Sequence, residues 1–190
     1  MVTHLGIDYG SKLAGTTSVC WMEHDKLSIK QSSKKENADE MIEDLLNHLK
    51  PEFIFIDCPL TLPSAYYGEG DDFFYRRCDK ELRAMSPMFL GGLTARGMRL
   101  KHKCKSFHWH EVYPKALVER FNLHETYQKK NKNDIQAFIE NLNTCYSFNL
   151  LEKIETWHSV DSLLAWISGS RYLKKQHHTI GTEKEGLIII

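Results

Sequence analysis

Two short apolar runs, each ending in an aspartate, constrain the fold of this chain more than any other feature of its sequence. Residues 4–8 end at Asp8 and residues 53–57 end at Asp57, and turn-forming residues follow each aspartate. An apolar run of five residues is too short for a buried helix and is typical of a strand that is covered on both faces. We therefore predict an α/β sheet in which both of these strands end in a carboxylate.

Periodicity elsewhere in the sequence adds further strands and flanking helices. The predicted strands are residues 4–8, 14–22, 26–30, 53–57, 108–113 and 185–190. The predicted helices are residues 38–49, 71–85, 134–142 and 158–173, with a further helix that begins at Pro114. Glycines at positions 91, 92 and 97 argue against a helix between residues 90 and 105. The order of the elements predicts one mixed α/β domain over residues 1–190.

The composition is that of an ordinary globular protein and gives no sign of a membrane partner. Hydrophobic residues make up 42% of the chain, but no apolar run approaches the roughly 20 residues that span a bilayer. The N-terminus lacks the basic and apolar regions of a signal peptide, so we expect a cytoplasmic location. Lysine plus arginine equals aspartate plus glutamate at 25 each, so only local clusters of charge can indicate a nucleic-acid partner.

Three aspartates form a candidate metal-binding set. Asp8 and Asp57 follow strands, and the carboxyl ends of strands line the ligand crevice of open α/β sheets. Asp161 lies one turn into the last predicted helix, where small residues at 165 and 168 allow the helix to approach a sheet closely. Oxygen ligands of this kind suit Mg²⁺ or Mn²⁺, and such ions can promote phosphodiester cleavage. The alternative for each residue alone is a turn former or a first-turn helix acid.

Six short motifs in a fixed order resemble a known family. They are Gly6-Ile7-Asp8-Tyr9-Gly10, Ile56-Asp57-Cys58-Pro59-Leu60, Arg77-Cys78-Asp79, Glu111-Val112-Tyr113-Pro114, the segment from His158 to Ala165, and Glu185-Gly186. Together they resemble a family of predicted ribonuclease H-like nucleases that is related to the Holliday-junction resolvases. The resemblance spans nearly the whole chain and implies a five-stranded mixed sheet with flanking helices, in which the first three strands are antiparallel.

The resemblance also implies which residues act. The metal-binding acids of the family would fall on Asp8, Asp57 and Asp161. The resolvase relatives often carry two acids one turn apart on the last helix, and here the earlier position is His158, which could bind a metal, activate water or simply pack. Glu111, just before a proline that starts a helix, is a further candidate ligand, or else a helix N-terminal acid.

Four basic residues are candidates for contacts with a nucleic-acid backbone. Arg77 and Arg83 belong to a basic cluster on the predicted helix at 71–85, and Arg96 begins a second cluster. Lys12 is the last residue of the segment 8–12, which resembles a phosphate-binding loop. Charged helix faces are often merely solvated, so clustering alone leaves both interpretations open.

These residues lead to one main hypothesis and two alternatives. The main hypothesis is a nuclease that depends on Mg²⁺ or Mn²⁺ and acts on DNA or RNA through Asp8, Asp57 and Asp161. One alternative is an actin-like ATPase or kinase domain, although such proteins clamp nucleotide between two related domains and 190 residues accommodate only one. The other is a module that binds nucleic acid without cleaving it.

Overall fold

A seven-stranded mixed sheet runs through the computed structural model, which describes residues 2–190. The strands are β1 (His4–Asp8), β2 (Ser18–Glu23), β3 (Lys26–Gln31), β4 (Phe53–Asp57), β5 (His108–Val112), β6 (Thr179–Thr182) and β7 (Gly186–Ile189). Their order across the sheet is β3-β2-β1-β4-β5-β7-β6. β1, β2 and β3 pair antiparallel, whereas β4, β5 and β7 continue from β1 in parallel. The predicted α/β class is confirmed.

The expectation of five strands is wrong, because the sheet continues beyond β5. β7 pairs in parallel with β5, and β6 returns antiparallel to β7 and forms the edge. The strand predicted over 185–190 corresponds to β7, whereas no strand was predicted at β6. A four-residue segment of threonine, isoleucine and glycine carries no apolar periodicity, so only its pairing with β7 identifies β6 as a strand.

Helices cover both faces of the sheet. They are α1 (Ala38–Leu49), α2 (Arg77–Leu82), α3 (Pro87–Leu90), α4 (Gly92–Lys103), α5 (Pro114–Arg120), α6 (Asp134–Cys145) and α7 (Trp157–Leu173). The predicted bounds of α1 are confirmed, since Asn37 caps its start and Lys50 ends it in a left-handed conformation. None of the helices formed by residues 2–190 has the length and apolar composition needed to cross a membrane.

Two helix predictions between residues 71 and 105 are wrong. The helix predicted over 71–85 is restricted to α2, because Asp72 accepts hydrogen bonds from the amides of residues 74 and 75 and holds a turn ahead of it. Conversely, α4 forms despite its glycines. At Gly97 the missing side chain is required, since a Cβ there would lie 2.6 Å from Cys58 Sγ. Packing against the loop after β4 therefore outweighs the low helix propensity of glycine.

The close approach of α7 to β1 positions the rest of the molecule. α7 is buried on nearly all sides and crosses β1 at Gly6. A Cβ at Gly6 would lie 2.5 Å from the carbonyl oxygen of Ser162 and closer still to the amide of Trp166. Only glycine permits this contact between the backbones of helix and strand, and the contact brings the first turn of α7 to the end of β1.

The Gly6 contact can be tested by adding one methyl group. We expect Gly6→Ala to lower the free energy of unfolding by about 3 kcal/mol or more, because the methyl would meet backbone atoms that cannot rotate away. Gly92→Ala is the control, since a Cβ at that position meets open space and should leave stability unchanged or slightly higher. Denaturant unfolding of both variants measures the difference. A Gly6→Ala protein as stable as the wild type would contradict this account of the packing.

Candidate functional site

Asp8 and Asp57 lie side by side at the carboxyl ends of β1 and β4. The parallel register pairs Asp8 directly with Asp57, so both side chains point to the same face from strands about 4.8 Å apart. Both residues retain some exposure to solvent. Within residues 2–190, no group donates a hydrogen bond to the carboxylate of Asp57. The strand pairing therefore presents two adjacent carboxylates, one of them uncompensated.

α7 adds two further groups to this pair. Thr156 caps the helix by accepting a hydrogen bond from the amide of Ser159, which fixes where the first turn begins. His158 lies in that turn, and its Nδ1 is 2.7 Å from Asp8 Oδ2. The hydrogen bond with Asp8 raises the pKa of His158, so the imidazole favours its protonated form here. Asp161, one turn later, is almost fully buried.

Asp161 is held by two residues that the sequence analysis did not select. The hydroxyl of Tyr127 donates to Oδ1 of Asp161, and the ammonium of Lys129 binds Oδ2. Both come from the connection between α5 and α6, more than 30 positions away in sequence. No periodicity or motif links that connection to the aspartates, so nothing in the sequence signalled the contact.

We call Asp8, Asp57 and Asp161 together the aspartate site. The electrostatics of this site favour a bound cation. Burial, followed by the negative charges of Asp8 and Asp161, raises the pKa of Asp57 well above its usual range. Burial and the charge of Asp8 raise the pKa of Asp161 to about 6. A set of carboxylates that resists ionisation is stabilised when a positive ion approaches, and such perturbed groups concentrate at functional sites.

Glu111, predicted as a possible ligand, is engaged elsewhere. Its carboxylate accepts hydrogen bonds from the guanidinium of Arg76 at 2.8 Å and from the amide of Leu60 at 2.6 Å. Arg76 is 1% exposed and also binds both oxygens of Asp79. Arg76 is therefore the centre of a buried ion-pair network. Glu111 therefore belongs to the network beside the aspartate site.

The predicted phosphate-binding residues are dispersed. Arg77 is exposed and pairs with Glu81, Arg83 ends α2, and Lys12 is exposed on the loop after β1. Arg96 contacts the loop that follows Asp8, because its guanidinium donates to the carbonyl of Gly10 at 3.0 Å. That guanidinium is also bound to Asp39 of α1. The contacts of Arg77 and Arg96 are thus ion pairs within the protein itself.

A cavity of about 320 Å³ opens onto the aspartate site. Asp8 and Asp57 contribute to its wall together with Tyr113, Met85 and Leu90. Glu111 and Arg76 line it as well. A larger cavity of about 490 Å³, between β3 and residues 151–156, contains none of the aspartates. The smaller cavity is therefore the one in which a ligand could reach the carboxylates.

The donor atoms of Asp8 and Asp57 fit a hard divalent cation. Mg²⁺ and Mn²⁺ accept carboxylate oxygens and retain several waters, so two adjacent carboxylates facing a cavity are a suitable first set of ligands. Among the described residues, no three His, Cys, Asp or Glu side chains converge as a complete ligand group. Asp161 is turned towards Tyr127 and Lys129 instead. The site thus fits a metal through its strand-borne aspartates.

Comparison with known proteins identifies no relative. No protein-family model matches this sequence, and no curated protein is significantly similar to it. The resemblance to ribonuclease H-like nucleases therefore stays a prediction based on the motifs.

Neutralising Asp57 should stabilise the protein in a pH-dependent manner. Its raised pKa means that Asp57 binds a proton more tightly in the folded protein than in the unfolded chain, so the contribution of Asp57 to stability falls as the pH rises above about 4. Asp57→Asn removes this loss, and its advantage in free energy of unfolding should grow from pH 4 to pH 8 when measured with chelator present. Asp44→Asn, at an exposed position of α1, is the control. An advantage of Asp57→Asn that does not change with pH would contradict the interpretation.

Glu111→Gln tests whether Glu111 serves the fold or the site. Glu111→Gln leaves Arg76 paired with Asp79 but places an amide NH₂ against its Nη1 in place of a carboxylate oxygen, so we expect a loss of about 2 kcal/mol in the free energy of unfolding. Glu119→Gln, exposed on α5, should change stability by less than about 0.5 kcal/mol. A fully stable Glu111→Gln protein that has lost Mn²⁺ affinity would instead identify Glu111 as a ligand.

Proposed function

We propose that this protein is a nuclease that depends on Mg²⁺ or Mn²⁺ and hydrolyses phosphodiester bonds in DNA or RNA. The observation that carries the proposal is the parallel pairing of Asp8 with Asp57, which sets two carboxylates side by side on the wall of a cavity. α7 adds His158, which contacts Asp8, and Asp161, a third acidic residue near the pair. Oxygen ligands at adjacent strand ends are the arrangement that a hard cation needs when it acts on a phosphate.

The central part of the sheet supports the resemblance to ribonuclease H-like nucleases. β1 to β5 form a mixed sheet whose first three strands are antiparallel, as the resemblance implies, and β7 and β6 extend it at one edge. The acids that the resemblance selects lie on β1, β4 and α7, which are neighbours in this arrangement. The proposed fold is therefore a ribonuclease H-like sheet with two added strands.

Each residue of the site would have a different role in the proposed reaction. Asp8 and Asp57 would hold the cation, which supplies an activated water and stabilises the leaving oxygen. The Nδ1 of His158 shares a hydrogen bond with Asp8 Oδ2, which orients that carboxylate. The other side of the imidazole ring is exposed and can exchange a proton with solvent. Arg96, bound to the carbonyl of Gly10, fixes the loop that follows β1.

The loop after β1 argues against the ATPase or kinase alternative. A phosphate-binding loop presents free backbone amides to its ligand. Here the amide of Gly10 donates to Thr17 Oγ1 and the amide of Ser11 donates to Thr16 Oγ1, each at 3.0 Å. These amides already have partners within the loop, so they are not available to bind a phosphate.

Cleavage assays on a panel of substrates test the proposal. We expect the purified protein to cleave at least one of single-stranded DNA, single-stranded RNA, an RNA–DNA hybrid or a four-way junction when Mg²⁺ or Mn²⁺ is present. Asp8→Asn and Asp57→Asn should each reduce the rate about 100-fold or more, because each removes a ligand of the cation. Asp44→Asn should cleave like the wild type.

Two results would count against a nuclease. Absence of turnover on every substrate with either ion would contradict the proposal. Binding of nucleic acid that is unaffected by Asp57→Asn and never followed by cleavage would favour the non-catalytic module instead. Thermal unfolding of each variant separates loss of ligand from loss of fold.

A further inference from the structure

The ammonium of Lys129 occupies the aspartate site from outside the elements that carry the aspartates. Its side chain is half-exposed, so the methylene stem lies at the surface while the ammonium reaches the buried carboxylate of Asp161. The ammonium also lies 5.0 Å from the centre of the Tyr127 ring, a cation–π distance that helps to fix its position. Lys129 is therefore oriented by two contacts.

The ammonium of Lys129 reaches the site through one carboxylate. Among the described residues its ion-pair partner is Oδ2 of Asp161. Asp161 lies one turn after His158, which contacts Asp8. The ammonium thus places a positive charge on the α7 side of the aspartate site.

The contacts of Asp161 limit how many metal ions the site can hold. Tyr127 donates to its Oδ1 and the ammonium of Lys129 binds its Oδ2, so both oxygens already have partners. Asp8 and Asp57 lie side by side and can share one divalent cation. A second divalent cation at Asp161 would have to displace one of these partners, against the repulsion of the ammonium.

We propose that Lys129 takes the place of the second metal ion in a phosphodiesterase site, so that the protein binds one divalent cation, at Asp8 and Asp57. This inference rests on the proposed function and specifies its metal stoichiometry. Lys129 is a positioning residue that acts through Asp161, and its role depends on its positive charge more than on its shape.

Metal titration of the wild type and two charge variants tests the role of Lys129. We expect calorimetric titration with MnCl₂ to give one ion per wild-type chain and two ions per chain of Lys129→Met, which keeps the length of the side chain and removes its charge. Lys129→Arg keeps the charge and should bind one ion. Lys130→Met is the matched control, because its exposed side chain lies next in sequence, and it should also bind one ion.

A second readout distinguishes two neighbouring ions from a loosely bound extra ion. In electron paramagnetic resonance, two Mn²⁺ ions that share the site should give a spin-coupled spectrum in Lys129→Met, whereas the wild type should give the spectrum of an isolated ion. If Lys129→Met folds poorly in thermal unfolding, Lys129→Gln serves in its place, because its polar end tolerates the partly exposed position.

The outcomes separate this inference from the proposed function. Two Mn²⁺ ions in the wild type, or one in Lys129→Met, would overturn the role of Lys129 and leave the nuclease proposal standing. No Mn²⁺ binding in the wild type would overturn the metal site itself, and this inference with it. A Lys129→Arg protein that binds two ions would show that shape and not charge excludes the second ion, and would also overturn the inference.

Discussion

The approach of α7 to β1 at Gly6 is the contact on which the rest of the structure depends. A side chain at this crossing would hold the helix away from the sheet, because a Cβ on residue 6 would already meet the backbone of Ser162 and Trp166. Because Gly6 has no side chain, the backbone of α7 reaches β1 near Ser162, whose hydroxyl is 3.0 Å from that of Ser18 on β2. This depth buries Asp161 and sets His158 against Asp8. The same contact between α7 and β1 therefore packs the core and brings the residues of the site together.

Burying acids in this way requires compensation, and two acids beside the same cavity differ in how much of it they receive. Glu111 has a complete set of partners in Arg76, the Leu60 amide and Thr61, which is the pattern of a structural ion pair. Asp57 has no donor among residues 2–190 and has neighbours of like charge, which raise its pKa. A partly buried charge without a partner is destabilising, and this is the physical basis for the proposal that Asp57 binds a ligand. The contrast with Glu111 lies in the hydrogen-bond donors that Asp57 lacks.

How far the sequence predicts this molecule depends on whether a feature is local. The strands that end at Asp8 and Asp57 and the capped helix α1 follow from local patterns, and strand ends in an α/β sheet meet at one edge, so the aspartate pair follows too. Arg76 and Lys129 could not be predicted in the same way. Each is a basic residue in a polar segment, and only tertiary contacts distinguish a buried guanidinium or a site-bound ammonium from a solvated one. The helix predicted over 71–85 was wrong at its start because Asp72 holds a turn there through hydrogen bonds that apolar spacing does not reveal.

The two strands beyond β5 complete the burial of the network that supports the site. Gly186, at the start of β7, has a φ of 113°, and a Cβ there would lie 2.9 Å from Arg76 Nη1, so the strand backbone covers the guanidinium directly. Arg76 in turn holds Glu111, and Glu111 accepts the amide of Leu60, three residues after Asp57. A chain of contacts thus connects the edge of the sheet to the loop that follows Asp57. Without β7, Arg76 and Glu111 would face solvent, and water would weaken the hydrogen bond that fixes this loop. The extension of the sheet is therefore part of the support for the aspartate site.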